Sequence, residues 1–179
     1  MLQQLKHFNE RLSQHPNYRQ IKFLVLFGLF YCIFHGLYYL VPDDFLREQV
    51  YYHLIIAFCA DAINWISANE RVIGADNMLR SSKAALEVVR GCDGAGSLFL
   101  IVASVLAFSC SVKHKLKGLI LGVALIYLLN QIRIIGLYFV VAYQKSWFLP
   151  IHTYYAPSFI VMLCVLFFAW WAFTNDNNH

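Results

Sequence analysis

Charged side chains are scarce in this 179-residue chain. Asp, Glu, Lys and Arg together make up 13% of it, whereas a soluble domain carries about 25%. Hydrophobic residues make up 60%. These proportions exclude an ordinary soluble domain and indicate an integral membrane protein.

The sequence also lacks several features that define other classes. No Lys/Arg-rich block with interleaved aromatics is present, so a nucleic-acid partner is not expected. We find no internal repeat, no low-complexity tract and no long linker, which predicts one membrane domain over residues 1–179. Within it we expect a cytoplasmic N-terminal segment (1–20), an extracytoplasmic loop (69–92) and a short tail (174–179).

Long apolar runs are what the sequence does contain. A membrane helix needs about 20 apolar residues, and four runs are predicted to span: Ile21–Val41, Ala95–Cys110, Gly118–Tyr143 and Ala156–Phe173. Charged residues interrupt the apolar segment Phe45–Ile66, so we interpret it as a non-spanning or re-entrant helix. The basic clusters Lys6–Lys22 and Lys113–Lys117 then both face the cytoplasm. The predicted fold class is an all-α, multi-pass helical bundle with about four spans.

The segment Asn69–Gly91 differs in kind from the runs around it. Short apolar pieces alternate with turn-forming residues such as Gly74 and Asp76-Asn77. This alternation favours a small extracytoplasmic hairpin, which would lie directly before Cys92.

Arg133 lies inside an otherwise apolar run from Gly118 to Ala142. A guanidinium in the middle of a membrane helix costs about 2.5–3.5 kcal/mol and marks a functional site by default. Asn130, one turn earlier on the same face, is expected to hold the guanidinium in place. Two plainer alternatives are an Arg that reaches the headgroups and an Arg that pairs with Asp61 to hold the bundle together.

Cys92 stands apart from the other four cysteines, which lie in or beside apolar runs. It occupies the glycine-rich turn between Gly91 and Gly94, at the predicted start of a helix. A helix N-terminus lowers the pKa of a thiol and favours the nucleophilic thiolate. No C-x-x-C spacing accompanies it, so neither a metal nor a cofactor is expected. The plain alternative is a loop cysteine without a role.

His152 precedes the last predicted span, on the membrane face where the topology also places Cys92. A lone interfacial histidine is more often a hydrogen-bonding residue than a catalyst. Together with Cys92 and Arg133, however, it completes a set for acyl transfer from a peptide. The set comprises a thiol nucleophile, an imidazole for proton transfer and a cation for the developing oxyanion.

The order of these residues resembles the exosortase/archaeosortase family. The resemblance rests on L-E-V-V-R-G-C-D-G (86–94), on N-Q-I-R-I (130–134) and on His152 before a final span. The family's cysteine motif commonly reads Cys-Ser-Gly, whereas Asp93 occupies the middle position here. The short chain is similar to compact members such as exosortase H.

The resemblance implies a membrane-embedded cysteine protease/transpeptidase that cleaves C-terminal sorting signals through a thioester acyl-enzyme. It implies Cys92, Arg133 and His152 as catalytic residues, supported by Asn130 and Gly94. It also implies the bacterial inner membrane, an active site facing the periplasm, and sorting-signal proteins and membrane lipids as partners.

Glu87 is expected either to steady a cationic partner or to be a solvated loop residue. The sequence is also compatible with two rival functions. One is a non-catalytic membrane subunit or small transporter with a structural Arg133. The other is a thiol-redox protein in which Cys92 pairs with a second cysteine.

Overall fold

The structure is a computed structural model that describes residues 17–176. Three of its helical segments are long and apolar enough to cross a membrane, over Tyr18–Leu40, Val112–Tyr143 and Lys145–Thr174. The predicted all-α, multi-pass membrane protein is confirmed. The cytoplasmic segment predicted for 1–20 lies mostly outside the described residues.

Five helices carry most of the fold, and we number them in chain order. They are α1 (Tyr18–Leu40), α2 (Ala57–Ile66), α3 (Ala95–Ala107), α4 (Val112–Tyr143) and α5 (Ala156–Asp176). A helical turn at Asp43–Phe45 and a π-helical segment at Leu46–Ile56 lead into α2. Short 3-10, α-helical and π-helical segments lead into α5, at Lys145–Trp147, Phe148–Pro150 and Ile151–Tyr155.

The predicted span Ala95–Cys110 is shorter than expected. Helix α3 has 13 residues, or about 20 Å at 1.5 Å per residue, against a hydrocarbon core of about 30 Å. The helix stops because Phe108 adopts an extended conformation with ψ 133°, and Lys115 Nζ then donates to the carbonyl of Leu106 at 2.8 Å. The structure therefore contains three helices of spanning length among residues 17–176, fewer than the four predicted.

The segment Phe45–Ile66 is helical and is not among the helices of spanning length. Its buried face carries Ile56, Cys59 and Ile63, all with 0% exposure. These side chains belong to the same core as Tyr138 of α4. The segment thus packs along α4 through one apolar face.

The predicted hairpin is present, and a third strand that the sequence did not predict pairs with it. The strands are β1 (Ile73–Ala75), β2 (Met78–Arg80) and β3 (Ala85–Glu87), in the order β1-β2-β3. Both pairings are antiparallel, and Asp76 adopts a left-handed φ of 50° in the turn between β1 and β2.

Glu70 anchors this sheet to the C-terminal third of α4. Its carboxylate is 1% exposed and accepts hydrogen bonds from Lys83 Nζ at 2.7 Å, from Tyr138 Oη at 2.9 Å and from Tyr143. The Lys83 contact is the main cause that lowers the pKa of Glu70 to about 2. The end of α4 therefore packs beside the sheet.

Candidate active site

Cys92 lies in a tight turn between β3 and α3, as the sequence predicts. Gly91 and Gly94 have φ values of 90° and 84°, in the region that glycine adopts without strain. The Cys92 N–H donates to the carbonyl of Val89 at 2.9 Å. Asp93 Oδ1 accepts from the N–H of Ala95 at 3.2 Å, which satisfies one of the free donors at the start of α3.

His152 approaches this turn from the segment that precedes α5. Its Nε2 lies 3.4 Å from Cys92 Sγ, and its ring stacks on Phe148 with centroids 5.1 Å apart. The structure thus brings together two residues that lie 60 positions apart in the chain. At this separation the imidazole can accept the proton of the thiol.

Arg133 points to the same turn from α4. Its Nη1 donates to the carbonyl of Cys92 at 3.4 Å, and its Nε is buried without a hydrogen-bond partner among the described residues. The guanidinium therefore keeps unused N–H groups next to the thiol.

Arg133 is followed on α4 by residues that contact the rest of the protein. Arg133 lies about 32 Å along α4 from Val112, which is roughly one hydrocarbon thickness. The following residues Ile134, Leu137 and Tyr138 pack in the core that contains the sheet. Part of the apolar run after Arg133 is therefore covered by protein, which the hydropathy of the sequence does not distinguish from lipid.

The alternative of an Arg133–Asp61 pair is not seen. Asp61 is exposed. Within residues 17–176, the pairs of opposite charge in contact are Lys83–Glu70 and Arg90–Asp43. Arg133 is thus directed to the cysteine turn rather than to a carboxylate.

Asn130 contacts the cysteine turn and not the guanidinium, which corrects the role predicted for it. Its Nδ2 donates to the carbonyl of Asp93 at 2.9 Å. A Cβ atom on Gly94 would lie 2.8 Å from Asn130 Cγ. The absence of a side chain at Gly94 therefore leaves room for this amide.

We expect Gly94→Ala to destabilise the protein by about 1–2 kcal/mol, because a left-handed φ carries that cost for a residue with a Cβ. The clash with Asn130 adds to it and displaces Cys92. Thermal unfolding in detergent measures the effect. Gly96→Ala is the matched control, since a Cβ there meets nothing within 4 Å. Equal unfolding temperatures for the two variants would contradict this account of the turn.

A polar network that the sequence did not predict ties the turn to α1. Asp93 Oδ2 accepts from Tyr38 and from Tyr51 Oη at 3.1 Å. Arg90 donates to the carbonyls of Tyr38 and Val41 at 2.5 and 2.7 Å. In the sequence, the charged residues Arg90 and Asp93 beside Cys92 were the features that could have indicated this network. Nothing in the sequence singled out the two tyrosines.

The surroundings of Cys92 shift the pKa of its thiol in both directions. Burial raises the pKa of the Cys92 thiol above its ordinary value, and the nearby Asp93 carboxylate adds to this, while Arg133 opposes both. A raised pKa makes a nearby base more useful for forming the thiolate, and His152 Nε2 lies 3.4 Å from the Cys92 sulfur.

The Cys92 thiol and the His152 imidazole line a cavity of about 270 Å³. Residues 86–89 form one wall, and Ile134, Leu137 and Phe148 contribute the rest of its apolar lining. Glu87 lines the cavity but meets no cation there, since its Oε1 accepts from Asn77 Nδ2 at 3.1 Å.

A second cavity of about 390 Å³ is lined mainly by apolar side chains, together with Asp93 and Asn130. Among residues 17–176, no cluster of three or more His, Cys, Asp or Glu side chains could hold a metal ion.

Comparison with known proteins gives one match. The sequence model of a family described as "Transmembrane exosortase (Exosortase_EpsH)" matches residues 12–171. No curated protein and no solved structure matches the chain. The matched range includes all the catalytic candidates, the sheet and α5 up to Trp171.

Proposed function

The chain belongs to the transmembrane exosortase family, and from this premise we propose that it is a membrane-embedded cysteine protease/transpeptidase that cleaves C-terminal sorting signals. The observation that carries the proposal is the 3.4 Å separation of Cys92 Sγ from His152 Nε2. A thiol within reach of an imidazole, facing a cavity, is the arrangement that peptide acyl transfer requires.

In the first step His152 Nε2 accepts the proton of the Cys92 thiol as Sγ attacks the scissile carbonyl carbon. The carbonyl electron pair moves onto oxygen and gives a tetrahedral oxyanion. The intermediate collapses when the C–N bond breaks and His152 returns the proton to the leaving amine. The product is a thioester between Cys92 and the new C-terminus of the exported protein.

In the second step His152 deprotonates the acceptor nucleophile, which is water for hydrolysis or an amine for transpeptidation. The acceptor attacks the thioester, the C–S bond breaks, and Cys92 recovers its proton from His152. One imidazole thus serves both proton transfers.

Arg133 is proposed to stabilise the oxyanion. Nη1 fixes the guanidinium on the carbonyl of Cys92 at 3.4 Å, while the buried Nε has no partner among the described residues. A fixed cationic donor in a half-buried site favours the charge that develops in the transition state more than it favours the neutral substrate.

The proposed location is the bacterial inner membrane with the site facing the periplasm. Lys113, Lys115 and Lys117 lie at the first turns of α4, and short basic segments stay in the cytoplasm. Arg133 lies near the opposite end of the same helix. The proposed substrates are exported proteins whose sorting signal ends in a membrane helix and a basic tail.

The test uses an exported reporter that ends in the short motif, membrane helix and basic tail of a protein from the same genome. We expect the protein to cleave it and to form a covalent adduct that hydroxylamine releases, since hydroxylamine cleaves thioesters at neutral pH. Mass spectrometry of the adduct would place the acyl group on Cys92. Cleavage without any hydroxylamine-sensitive adduct, or an adduct on another residue, would overturn the mechanism.

A further inference from the structure

Strand β3 is an edge strand of the sheet. In the order β1-β2-β3 it pairs with β2 through Arg80–Ala85, Leu79–Leu86 and Met78–Glu87. On its other side no strand of the described chain pairs with it. The side chains of Ala85 and Glu87 are exposed.

The hydrogen-bond pattern shows which backbone groups of β3 are unused. Val88 N–H donates to the carbonyl of Asn77 at 2.8 Å, and Ser81 N–H donates to the carbonyl of Ala84 at 2.9 Å. Alternate residues of an antiparallel strand face the same neighbour, so Ala84, Leu86 and Val88 face β2. The N–H and C=O groups of Ala85 and Glu87 therefore face the open edge.

This open edge leads to the proposed catalytic pair. Residues 86–89 form one wall of the 270 Å³ cavity that Cys92 and His152 also line. A chain lying along β3 would reach the Cys92 thiol within a few residues, since a strand rises about 3.3 Å per residue.

We propose that the substrate segment upstream of the scissile bond binds as a fourth strand along the open edge of β3, hydrogen-bonded to the backbone of Ala85 and Glu87. This inference rests on the proposed function. Strand addition supplies affinity through main-chain hydrogen bonds, which do not depend on the sequence of the bound segment. The exported part of the substrate is thereby held by its backbone.

The added strand runs parallel to β3. Strand β3 leads from the extramembrane sheet toward Cys92 and then into α3. A substrate with its exported domain outside and its signal helix in the membrane follows the same course. An antiparallel segment would carry the chain away from the bilayer before its signal helix begins.

Photocrosslinking tests the contact directly. A benzophenone amino acid is placed at position 85 in a Cys92→Ala background, which keeps the bound reporter uncleaved. We expect a crosslink between this position and reporter residues upstream of the scissile bond. Position 73 on β1 is the matched control, because Ile73 is 69% exposed on the opposite edge strand. Crosslinking from 73 and not from 85, or from neither, would overturn the proposal.

A proline at position 85 tests the hydrogen bonds. Proline removes an N–H and is tolerated on edge strands where that group faces outward. We expect Ala85→Pro to lower kcat/KM for the reporter about tenfold, corresponding to one hydrogen bond, while iodoacetamide alkylates Cys92 at the wild-type rate. Ser82→Pro, in the exposed loop before β3, is the proline control and should retain cleavage.

The outcomes separate the two proposals. If the wild type leaves the reporter intact under all conditions, the protease function fails. If the wild type cleaves and Ala85→Pro cleaves equally well, only the strand addition fails. A changed rate of Cys92 alkylation in Ala85→Pro would show that the proline has displaced the cysteine turn. In that case the crosslinking result decides whether the substrate binds along β3.

Discussion

Replacing Cys92 with serine is expected to reduce signal cleavage at least about 10³-fold, since removing the nucleophile of an acyl-transfer enzyme costs that much or more. Serine is nearly isosteric, so the turn between Gly91 and Gly94 should keep its shape. The serine hydroxyl is far less acidic than a thiol, however, and His152 alone cannot ionise it. The measurement is the rate of reporter cleavage, with thermal unfolding as the check on folding.

Cys32→Ala and Cys110→Ala are the matched controls for this substitution. Cys32 is exposed and Cys110 is partly exposed, and neither is near the cavity that contains Cys92. Both variants should cleave the reporter at close to the wild-type rate. A Cys92→Ser protein that still processes the signal, beside an inactive Cys110→Ala protein, would show that the nucleophile lies elsewhere.

Arg133→Lys is expected to leave the protein folded and to slow cleavage about 10²–10³-fold, which is the cost of losing one oxyanion donor. The guanidinium of Arg133 can contact the carbonyl of Cys92 and an oxyanion at the same time because its N–H groups diverge in a plane. An ammonium on a flexible stem acts as a single point charge and cannot do both. Single-turnover cleavage and thermal unfolding of the purified variant measure the two effects separately.

Arg47→Lys is the control for this change, since Arg47 is exposed in the segment before α2 and should tolerate lysine. His152→Ala should also lose cleavage of the reporter, and it should slow the alkylation of Cys92 at neutral pH. Near-wild-type cleavage by Arg133→Lys would contradict the catalytic role. Loss of folded protein in both Arg133→Lys and His152→Ala would instead favour a structural role for Arg133.

The sequence singled out the three main residues of the candidate site because each carries chemistry that is unusual for its surroundings. A cation in an apolar run and a cysteine between glycines are conspicuous in a chain with 13% charged residues. The proximity of His152 to Cys92 was predicted only as a shared membrane face. The 3.4 Å contact depends on the stacking of His152 on Phe148, which no periodicity indicates.

The packing of the end of α4 and the partner of Asn130 could not be predicted for a physical reason. Hydropathy records that a helix is surrounded by apolar groups but does not distinguish lipid from protein. Part of the last third of α4 packs in the core that contains the sheet, and its hydropathy alone does not indicate this. The Asn130 amide donates to the carbonyl of Asp93 because Gly94 leaves room for it, and that close approach is a tertiary feature.

The shortness of α3 has a consequence for the surrounding lipid. Its Cys92 end is held level with the end of α1, because Arg90 binds the carbonyls of Tyr38 and Val41. Helix α1 is about 35 Å long and α3 about 20 Å, so the deficit falls at the opposite leaflet, near Cys110. Such hydrophobic mismatch is relieved by local bilayer thinning, at a fraction of a kcal/mol per Å. That cost falls as acyl chains shorten, so the protein should partition into the thinner regions of its membrane.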